Sequence, residues 1–420
     1  MKHKIFSREQ FFFFPLLIIY LIIIIIFSSN ELVGDEIRHM HYAENLAQGF
    51  YTNSDNPAIG NGPGYPLFIT PFVYFNFPLL IIKLLNALLV FGGILFFYKT
   101  LKFYLSTRKS VLFSYILGLY PPFFKYSISL LSEPLSLFLV CAFIYLIIKL
   151  RETSKDKTNV IAAGIFLGML TLTKVIFGYV ILFCLFIYSI VFLTLKFKQA
   201  KLIVLVLTVG LITCSPFLLY TYSITGKPFY WGTQGGSILY YRSTPFPNEV
   251  GNWMDNKHIY NTENTEYFGL NQFRENHKTF IDSILQLSPM DQDSLYKKKS
   301  VENIKNHPLK YLQNTLASAS RLFFNYPYSY TPQKATSLAY IIPNTLLLFS
   351  LLVILYLVFC NLKTVPFEFY FLALFSTIFI GGLILLDGRV RHLSPAIPIL
   401  LFLIAILGNK FIKITVNKFS

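Results

Sequence analysis

The stretch FFFFPLLIIYLIIIIIFSS, residues 11–29, is an apolar run of about the 20 residues that a helix needs to cross a bilayer. A short basic segment, residues 1–10, precedes it, and this order is also typical of a cleaved signal peptide. No cleavage site of small residues follows, since only two serines and an asparagine occupy 28–30. We therefore expect residues 11–29 to be a retained first membrane span.

The composition of the whole chain agrees with a membrane protein. Of 420 residues, 54% are hydrophobic and only 13% are charged, whereas about a quarter of residues are charged in soluble domains. This balance excludes a cytosolic enzyme and a disordered chain, which needs low hydrophobicity. The four cysteines all lie in apolar stretches, so a disulfide scaffold is excluded too.

Further apolar runs predict an all-α polytopic membrane protein with about ten transmembrane helices. The runs lie near 11–29, 78–98, 110–126, 133–149, 159–173, 175–195, 202–222, 338–360, 366–386 and 392–408.

The distribution of the net charge of +16 predicts the orientation of the chain. With a cytosolic N-terminus, the inside segments hold 18 Lys and Arg against three acids, whereas the first outside loop, 30–77, holds one cation and five acids. This positive-inside asymmetry predicts cytoplasmic termini and an even number of spans. We expect an integral membrane protein with no nucleic-acid partner. The inside segments are 1–10, 99–109, 149–158, 196–201, 361–365 and 410–420.

Two polar outside segments divide the chain into three parts. The first part, 1–222, is a transmembrane half that contains the outer loop 30–77. The second, 223–337, is an extracytoplasmic, mainly helical insertion, and the third, 338–420, returns to the membrane. Because the inside loops are too short to fold, we expect the chemistry on the outer face.

Local patterns predict three helices in these outer segments. Asp35 lies where an N-cap belongs, before a short amphipathic helix that Gly49 would end. In the insertion, one helix is expected near 291–306 and another from His307-Pro308, with its leucines on one face. We expect the latter to lie along the membrane surface.

Ionisable residues at the outer ends of the spans suggest a reaction. Charged groups at membrane depth cost about 2.5–3.5 kcal/mol and are usually functional. Cations can stabilise the charge on a departing polyprenyl phosphate, and a carboxylate can take the proton of an acceptor. Asp35 is the first candidate for this base and Glu36 the second. The residues at the span ends are Lys125, Glu133, Lys174, Asp387, Arg389 and Arg391.

Structural roles remain open for the same residues. Asp35 could be only a helix N-cap. Arg389 and Arg391 could be anchors whose charged ends reach the interface, and Lys174 could be an interfacial anchor as well. Glu133 could simply mark the start of a span.

Several motifs, in order along the chain, resemble those of bacterial GT-C glycosyltransferases, the family-39-like relatives of protein O-mannosyltransferases and of the aminoarabinose transferase of lipid A. They are Asp35-Glu36, 43–49 (AENLAQG), 62–68 (GPGYPLF), 132–135 (SEPL), 170–174 (LTLTK), 225–228 (TGKP), 306–308 (NHP) and Arg391-His392.

The resemblance implies an activity and a set of partners. Asp35 would be the catalytic carboxylate, with Glu36 as its acidic neighbour. The donor would be a polyprenyl-phosphate-linked sugar, transferred with inversion to an envelope glycan, a lipid or a protein. No cofactor is expected, although Asp35, Glu36 and Asp387 could gather a divalent ion.

The sequence departs from the family pattern at two positions. Some relatives carry a cation before the proline of the return segment, where Asn61 and Gly62 stand here. The donor phosphate would then bind other cations, which we expect to be Arg391, Lys174 or Arg242. His39 occupies a position that is often Tyr in relatives. The remaining candidates for the substrate cleft are Arg38, His39, Glu133, Tyr65 and Arg389.

Two other classes of function remain as alternatives. A transporter or flippase of lipid-linked sugars would carry polar groups at mid-membrane and a doubled architecture. A glycan polymerase or ligase would share the donor but rely on arginines of its outer loops. The clustering of ionisable residues at one face favours a transferase, with the insertion at 223–337 shaping access of the acceptor.

Overall fold

The computed structural model describes residues 8–152, 157–260 and 267–412, and every regular element in these ranges is a helix. The predicted inside segments 1–10, 149–158 and 410–420 lie partly outside the described residues. The α-helices are α1 (Phe14–Phe27), α2 (Asp35–Ala47), α3 (Gly64–Tyr74), α4 (Leu79–Leu101), α5 (Thr107–Gly118), α6 (Pro121–Ser127), α7 (Glu133–Glu152), α8 (Lys157–Thr173), α9 (Ile176–Leu195), α10 (Lys198–Thr225), α11 (Gly235–Arg242), α12 (Lys257–Tyr260), α13 (Leu270–Ile284), α14 (Pro289–Asn306), α15 (Pro308–Phe324), α16 (Leu338–Cys360), α17 (Phe367–Leu385) and α18 (Ala396–Phe411).

The membrane-spanning pattern is all-helical, as predicted. Seven helical stretches within the described ranges are long and apolar enough to cross a bilayer, and α8 and α18 are shorter apolar helices. The seven are Glu9–Phe27, Leu79–Leu101, Glu133–Arg151, Ile176–Leu195, Lys198–Thr225, Ala335–Cys360 and Phe367–Leu385.

The predicted span at 110–126 is two short helices, so the structure does not confirm the count of ten. α5 ends at Gly118 and α6 starts at Pro121, with Tyr120 between them in an extended conformation (ψ 113°). A proline restricts the residue before it to extended conformations and cannot donate a helical hydrogen bond. The pair Pro121-Pro122 therefore interrupts the helix.

Close contacts between small residues join the helices of the bundle. A Cβ added at Gly164 or Gly168 of α8 would lie 2.4 Å from the Cβ of Val209 or Thr213 on α10. Small residues permit this close approach of helix backbones, which is how membrane helices commonly associate. α7 is the most enclosed of the seven spans, whereas α16 is mostly exposed at the edge.

The predicted helix of the first loop is present, but its first residue has a different role from the one expected. α2 begins at Asp35 itself, and the N-cap is Gly34, which has a φ of 60°. The N-cap assignment of Asp35 is therefore wrong, because Asp35 is the first residue inside the helix. Gly49 follows the end of α2 with a φ of 92°, a conformation that favours glycine.

Both helices predicted in the insertion are present, as α14 and α15. α15 turns its polar side inward, where Asn314 and Arg321 are buried, and exposes Leu309 (75%) with Leu312 and Leu316. This exposed apolar face agrees with a position along the membrane surface.

The insertion also contains helices that were not predicted, α11 and α13. Together with α14 they enclose a separate small core that is rich in tyrosine. The backbone N–H of Thr233 donates to the carbonyl of Ile59 at 2.8 Å, which ties the insertion to the first loop. Both outer segments thus lie at one end of the bundle, which we call the Asp35 end.

Candidate functional site

Asp35 lies between two arginines at the Asp35 end of the bundle. One carboxylate oxygen contacts Arg38, one turn later on α2, and the other contacts Arg391 of the short 3-10 helix Val390–Leu393. The side chain of Asp35 keeps 11% of its surface exposed. The first loop and the start of the last helix thus meet at this carboxylate, although they are 356 residues apart.

Arg38 also connects α2 to the return segment. Its Nε donates to Oδ1 of Asn61 at 2.8 Å. Burial lowers the pKa of Arg38, and the guanidiniums of Arg391 and Arg389 lower it further. Because the pKa of arginine starts so high, Arg38 stays charged at neutral pH. Arg38 and Arg391 contact Asp35, and the charge of Arg389 lies close enough to act on Arg38.

The glycines of the return segment permit close packing against the end of α8. A Cβ on Gly62 would lie 2.1 Å from the carbonyl oxygen of Leu172, and one on Gly64 would lie 2.4 Å from Oγ1 of Thr173. No larger residue fits at these positions without movement of the backbone. The segment therefore holds Asn61 at a fixed distance from the span.

Glu36 faces away from Asp35, into the bundle. Its Oε1 accepts a hydrogen bond from the backbone N–H of Leu130 at 2.8 Å and lies 3.5 Å from Nζ of Lys83. Its Oε2 accepts from the N–H of Val33 at 3.3 Å. These contacts tie α2 to its neighbours, so the structure does not bring Glu36 to the arginines.

Glu133 and Lys174 form a second, buried ion pair. Nζ of Lys174 lies 2.8 Å from Oε1 of Glu133, whose side chain is only 1% exposed, against 13% for Lys174. Among the described residues, Oε2 of Glu133 has no hydrogen-bond partner. The two candidates are therefore brought together, but with each other rather than with Asp35.

His39 and Tyr65 are packed inside the protein. Their rings meet edge to face at a centroid distance of 5.0 Å, and both side chains are buried. Burial lowers the pKa of His39 to about 3, so its imidazole is neutral at neutral pH. His39 therefore supplies no positive charge to a phosphate, and its Nδ1 has no partner within the described ranges.

Asp387 and Arg389 extend the charged surface next to Arg391. Nε of Arg389 donates to Oδ2 of Asp387 at 2.7 Å, and Nε2 of His392 lies 3.3 Å from the same oxygen. Burial alone would raise the pKa of Asp387, but these partners hold it well below its usual range. The guanidinium of Arg389 also lies 5.4 Å from the ring of Trp253, an aromatic residue of the insertion that the sequence analysis did not select.

Arg242 lies apart from Asp35, in a buried position on α11. It donates to the carbonyl of Asn314 at 2.8 Å and to the hydroxyl of Ser318, both on α15. Burial lowers its pKa to about 9, and the charge of Arg321 adds to this effect. The structure therefore uses Arg242 to join α11 to α15, and its role in phosphate binding stays a prediction.

The carboxylates do not gather into a metal-binding group. Among the described residues, no three His, Cys, Asp or Glu side chains are arranged to hold an ion. Asp35 contacts arginines, Glu36 contacts Lys83, and Asp387 contacts Arg389.

Comparisons with known proteins find one family model and several solved structures to which the chain is similar. The solved structures match at low identity, and no curated protein sequence matches the chain. The archaeal oligosaccharyltransferase AglB from Archaeoglobus fulgidus, in complex with an inhibitory peptide and a dolichol-phosphate, aligns at 13% identity with a TM-score of 0.48, over 94% of this chain and 50% of that one. ArnT from Cupriavidus metallidurans, bound to undecaprenyl phosphate, aligns at 14% identity with a TM-score of 0.43, over 96% and 77%. The chain spans about half the length of AglB.

The family match covers the membrane segment that holds the return segment and the Glu133–Lys174 pair. Residues 60–220 match the sequence model of a family described as dolichyl-phosphate-mannose-protein mannosyltransferase. The matched range does not include Asp35 or Arg391. In this segment, which is less than half of the chain, the sequence is similar to that family.

Proposed function

We propose that the chain is an inverting glycosyltransferase that moves a sugar from a polyprenyl-phosphate-linked donor to an extracytoplasmic glycan, lipid or protein. The observation that supports this proposal is the contact of Asp35 with Arg38 and Arg391 at a partly exposed position. One carboxylate and two guanidiniums supply both a base and the positive charge that a departing phosphate needs.

The reaction is a single displacement at the anomeric carbon of the donor. A lone pair of the acceptor oxygen or nitrogen forms the new bond, and the bond between the anomeric carbon and the phosphate oxygen breaks with its electrons. The acceptor proton passes to the carboxylate of Asp35. The phosphate leaves with its negative charge facing the arginines, which stabilise it.

Arg391 couples donor binding to the availability of Asp35. Arg391 contacts one carboxylate oxygen of Asp35 and Arg38 contacts the other. Arginine binds phosphate through two parallel hydrogen bonds, so the donor phosphate competes with Asp35 for Arg391. Binding of the donor then releases the oxygen that takes the proton, and Arg38 keeps the carboxylate in place.

The proposed location is a bacterial inner membrane with Asp35 on the outer face. The Lys- and Arg-rich inside segments of the sequence support this orientation. The insertion, which contacts Arg389 through Trp253, would shape the path of the acceptor.

The replacement Asp35→Asn tests the proposed base. Asn keeps the shape but cannot take a proton, so we expect transfer to fall by about 10²–10⁴-fold, the usual contribution of a general base. Transfer is read by mass spectrometry of envelope glycans from cells that express each variant, as the loss of one sugar. The stereochemistry of the linkage, read by NMR, should be inverted relative to the donor.

Glu44→Gln provides the matched control, because Glu44 is an exposed carboxylate on the same helix. It should leave transfer unchanged at equal expression. Normal transfer by Asp35→Asn would contradict the role of Asp35 as the base.

A further inference from the structure

A cavity lies at the end of the bundle opposite Asp35. It has a volume of about 550 Å³ and is open on one side. It is formed where α7 ends and where α10 and α17 begin, together with the loop before α17. This volume is within the range of about 300–1,000 Å³ that is typical of small-molecule sites, and none of the proposed chemistry uses it.

The charged residues that line this cavity are mainly positive. Arg151 and Lys198 contribute two cations, and Arg151 is 55% exposed. Glu368 is the acid of the lining, and its Oε1 accepts a hydrogen bond from the hydroxyl of Tyr104 at 3.1 Å and lies 3.4 Å from Arg151. Among the described lining residues, one acid faces two cations, so the lining keeps a net positive charge. An anion is therefore the favoured ligand.

Apolar side chains form the rest of the wall. The rings of Phe197 and Phe367 stack at a centroid distance of 5.8 Å with nearly parallel planes. Ile147, Leu150 and Leu202 continue the apolar surface along the membrane-spanning helices. A ligand with a phosphate beside hydrocarbon matches both parts of the wall, and basic pockets between membrane helices are known to hold anionic lipid head groups.

We propose that this cavity binds the phosphate of an anionic phospholipid, with Arg151 and Lys198 at the phosphate and the apolar wall along the glycerol and the upper acyl chains. The site is separate from the Asp35 end, so it does not depend on the proposed transfer reaction.

Titration of phosphatidylglycerol into the purified full chain in detergent tests this proposal. Binding is measured by native mass spectrometry and by the rise in thermal unfolding midpoint, with phosphatidylcholine of the same acyl chains as the neutral lipid. Interfacial cations each contribute about 1 kcal/mol toward an anionic lipid. The double variant Arg151→Gln/Lys198→Gln should therefore bind phosphatidylglycerol on the order of 30-fold more weakly.

Two controls separate this site from general surface charge and from the proposed donor site. Lys109→Gln/Lys201→Gln removes the same charge at the same end but outside the cavity, so it should keep the affinity of the unaltered chain. Arg391→Gln should also keep it. Lys198→Glu leaves Arg151 beside Glu368 and serves as a second variant, which should weaken binding as well.

Three results would overturn the proposal. The first is equal affinity for the two lipids. The second is an equal loss of affinity in the cavity variant and the Lys109→Gln/Lys201→Gln control. The third is full stabilisation by inorganic phosphate alone, which would remove the role of the apolar wall.

Discussion

Replacement of Lys174 by Met is expected to destabilise the protein strongly. Nζ of Lys174 lies 2.8 Å from Oε1 of Glu133, which is buried at 1% exposure. The other oxygen of Glu133 has no partner among the described residues, so Lys174 is the main group that compensates this charge. Loss of one member of a buried pair costs about 3–5 kcal/mol, because the remaining charge stays away from water.

The reverse change, Glu133→Gln, should cost less. The side chain of Lys174 is more exposed than that of Glu133, at 13% against 1%, so the charge that is left behind lies closer to water. We expect a loss of about 1–3 kcal/mol, the penalty of one poorly satisfied polar group. The double variant Glu133→Gln/Lys174→Met leaves no charge behind and should recover most of the stability lost in Lys174→Met.

Chemical unfolding in detergent micelles, followed by tryptophan fluorescence, measures these differences. Lys125→Met is the matched control, since Lys125 is an exposed lysine of α6 and should change stability by no more than about 0.5 kcal/mol. The reasoning would be refuted if Lys174→Met cost no more than this control, or if the double variant were no more stable than Lys174→Met. Transfer by the double variant then reports whether the Glu133–Lys174 pair also contributes to catalysis.

Two further predictions concern packing and pH. Gly62→Ala should cost about 1–3 kcal/mol, because its Cβ would lie 2.1 Å from the carbonyl oxygen of Leu172. Gly381→Ala, whose Cβ would meet nothing within 4 Å, should be neutral or slightly stabilising, and equal effects in thermal unfolding would contradict the argument. Burial would raise the pKa of Glu249, but a hydrogen bond from His277 and its other partners hold it below the ordinary value of 4.5. The stability that Glu249 contributes is therefore present above pH 4.5 and lost as the pH falls through its lowered pKa. Glu249→Gln should reduce the fall of the thermal unfolding midpoint as the pH decreases. An unchanged slope of the midpoint against pH would contradict this prediction.

The sequence was most informative where a pattern is local. Hydropathy located the long apolar helices, and helical spacing with end signals located α2, α14 and α15. These local patterns did not locate α11 and α13, because the aromatic and polar residues of the insertion build a small core through long-range contacts. The break between α5 and α6 at Pro121 can be predicted from the sequence, since two prolines interrupt the apolar run.

The candidate site was predicted only in part for the same reason. Asp35 and Arg391 were both selected, yet no local pattern reports that they touch across 356 residues. Arg242 was a candidate after Arg391, and no sequence pattern reports that it packs between α11 and α15. The positive φ of Gly34 likewise depends on how the loop enters α2, so the N-cap could not be assigned from Asp35 alone.

The contact between Asp35 and Arg391 has a consequence for biogenesis. Asp35 precedes Arg391 by 356 residues, so it is translated well before its second arginine. The carboxylate and this arginine can therefore meet only after the segment that carries Arg391 has been translated and integrated. A nascent or truncated chain that stops before Arg391 carries an incomplete centre.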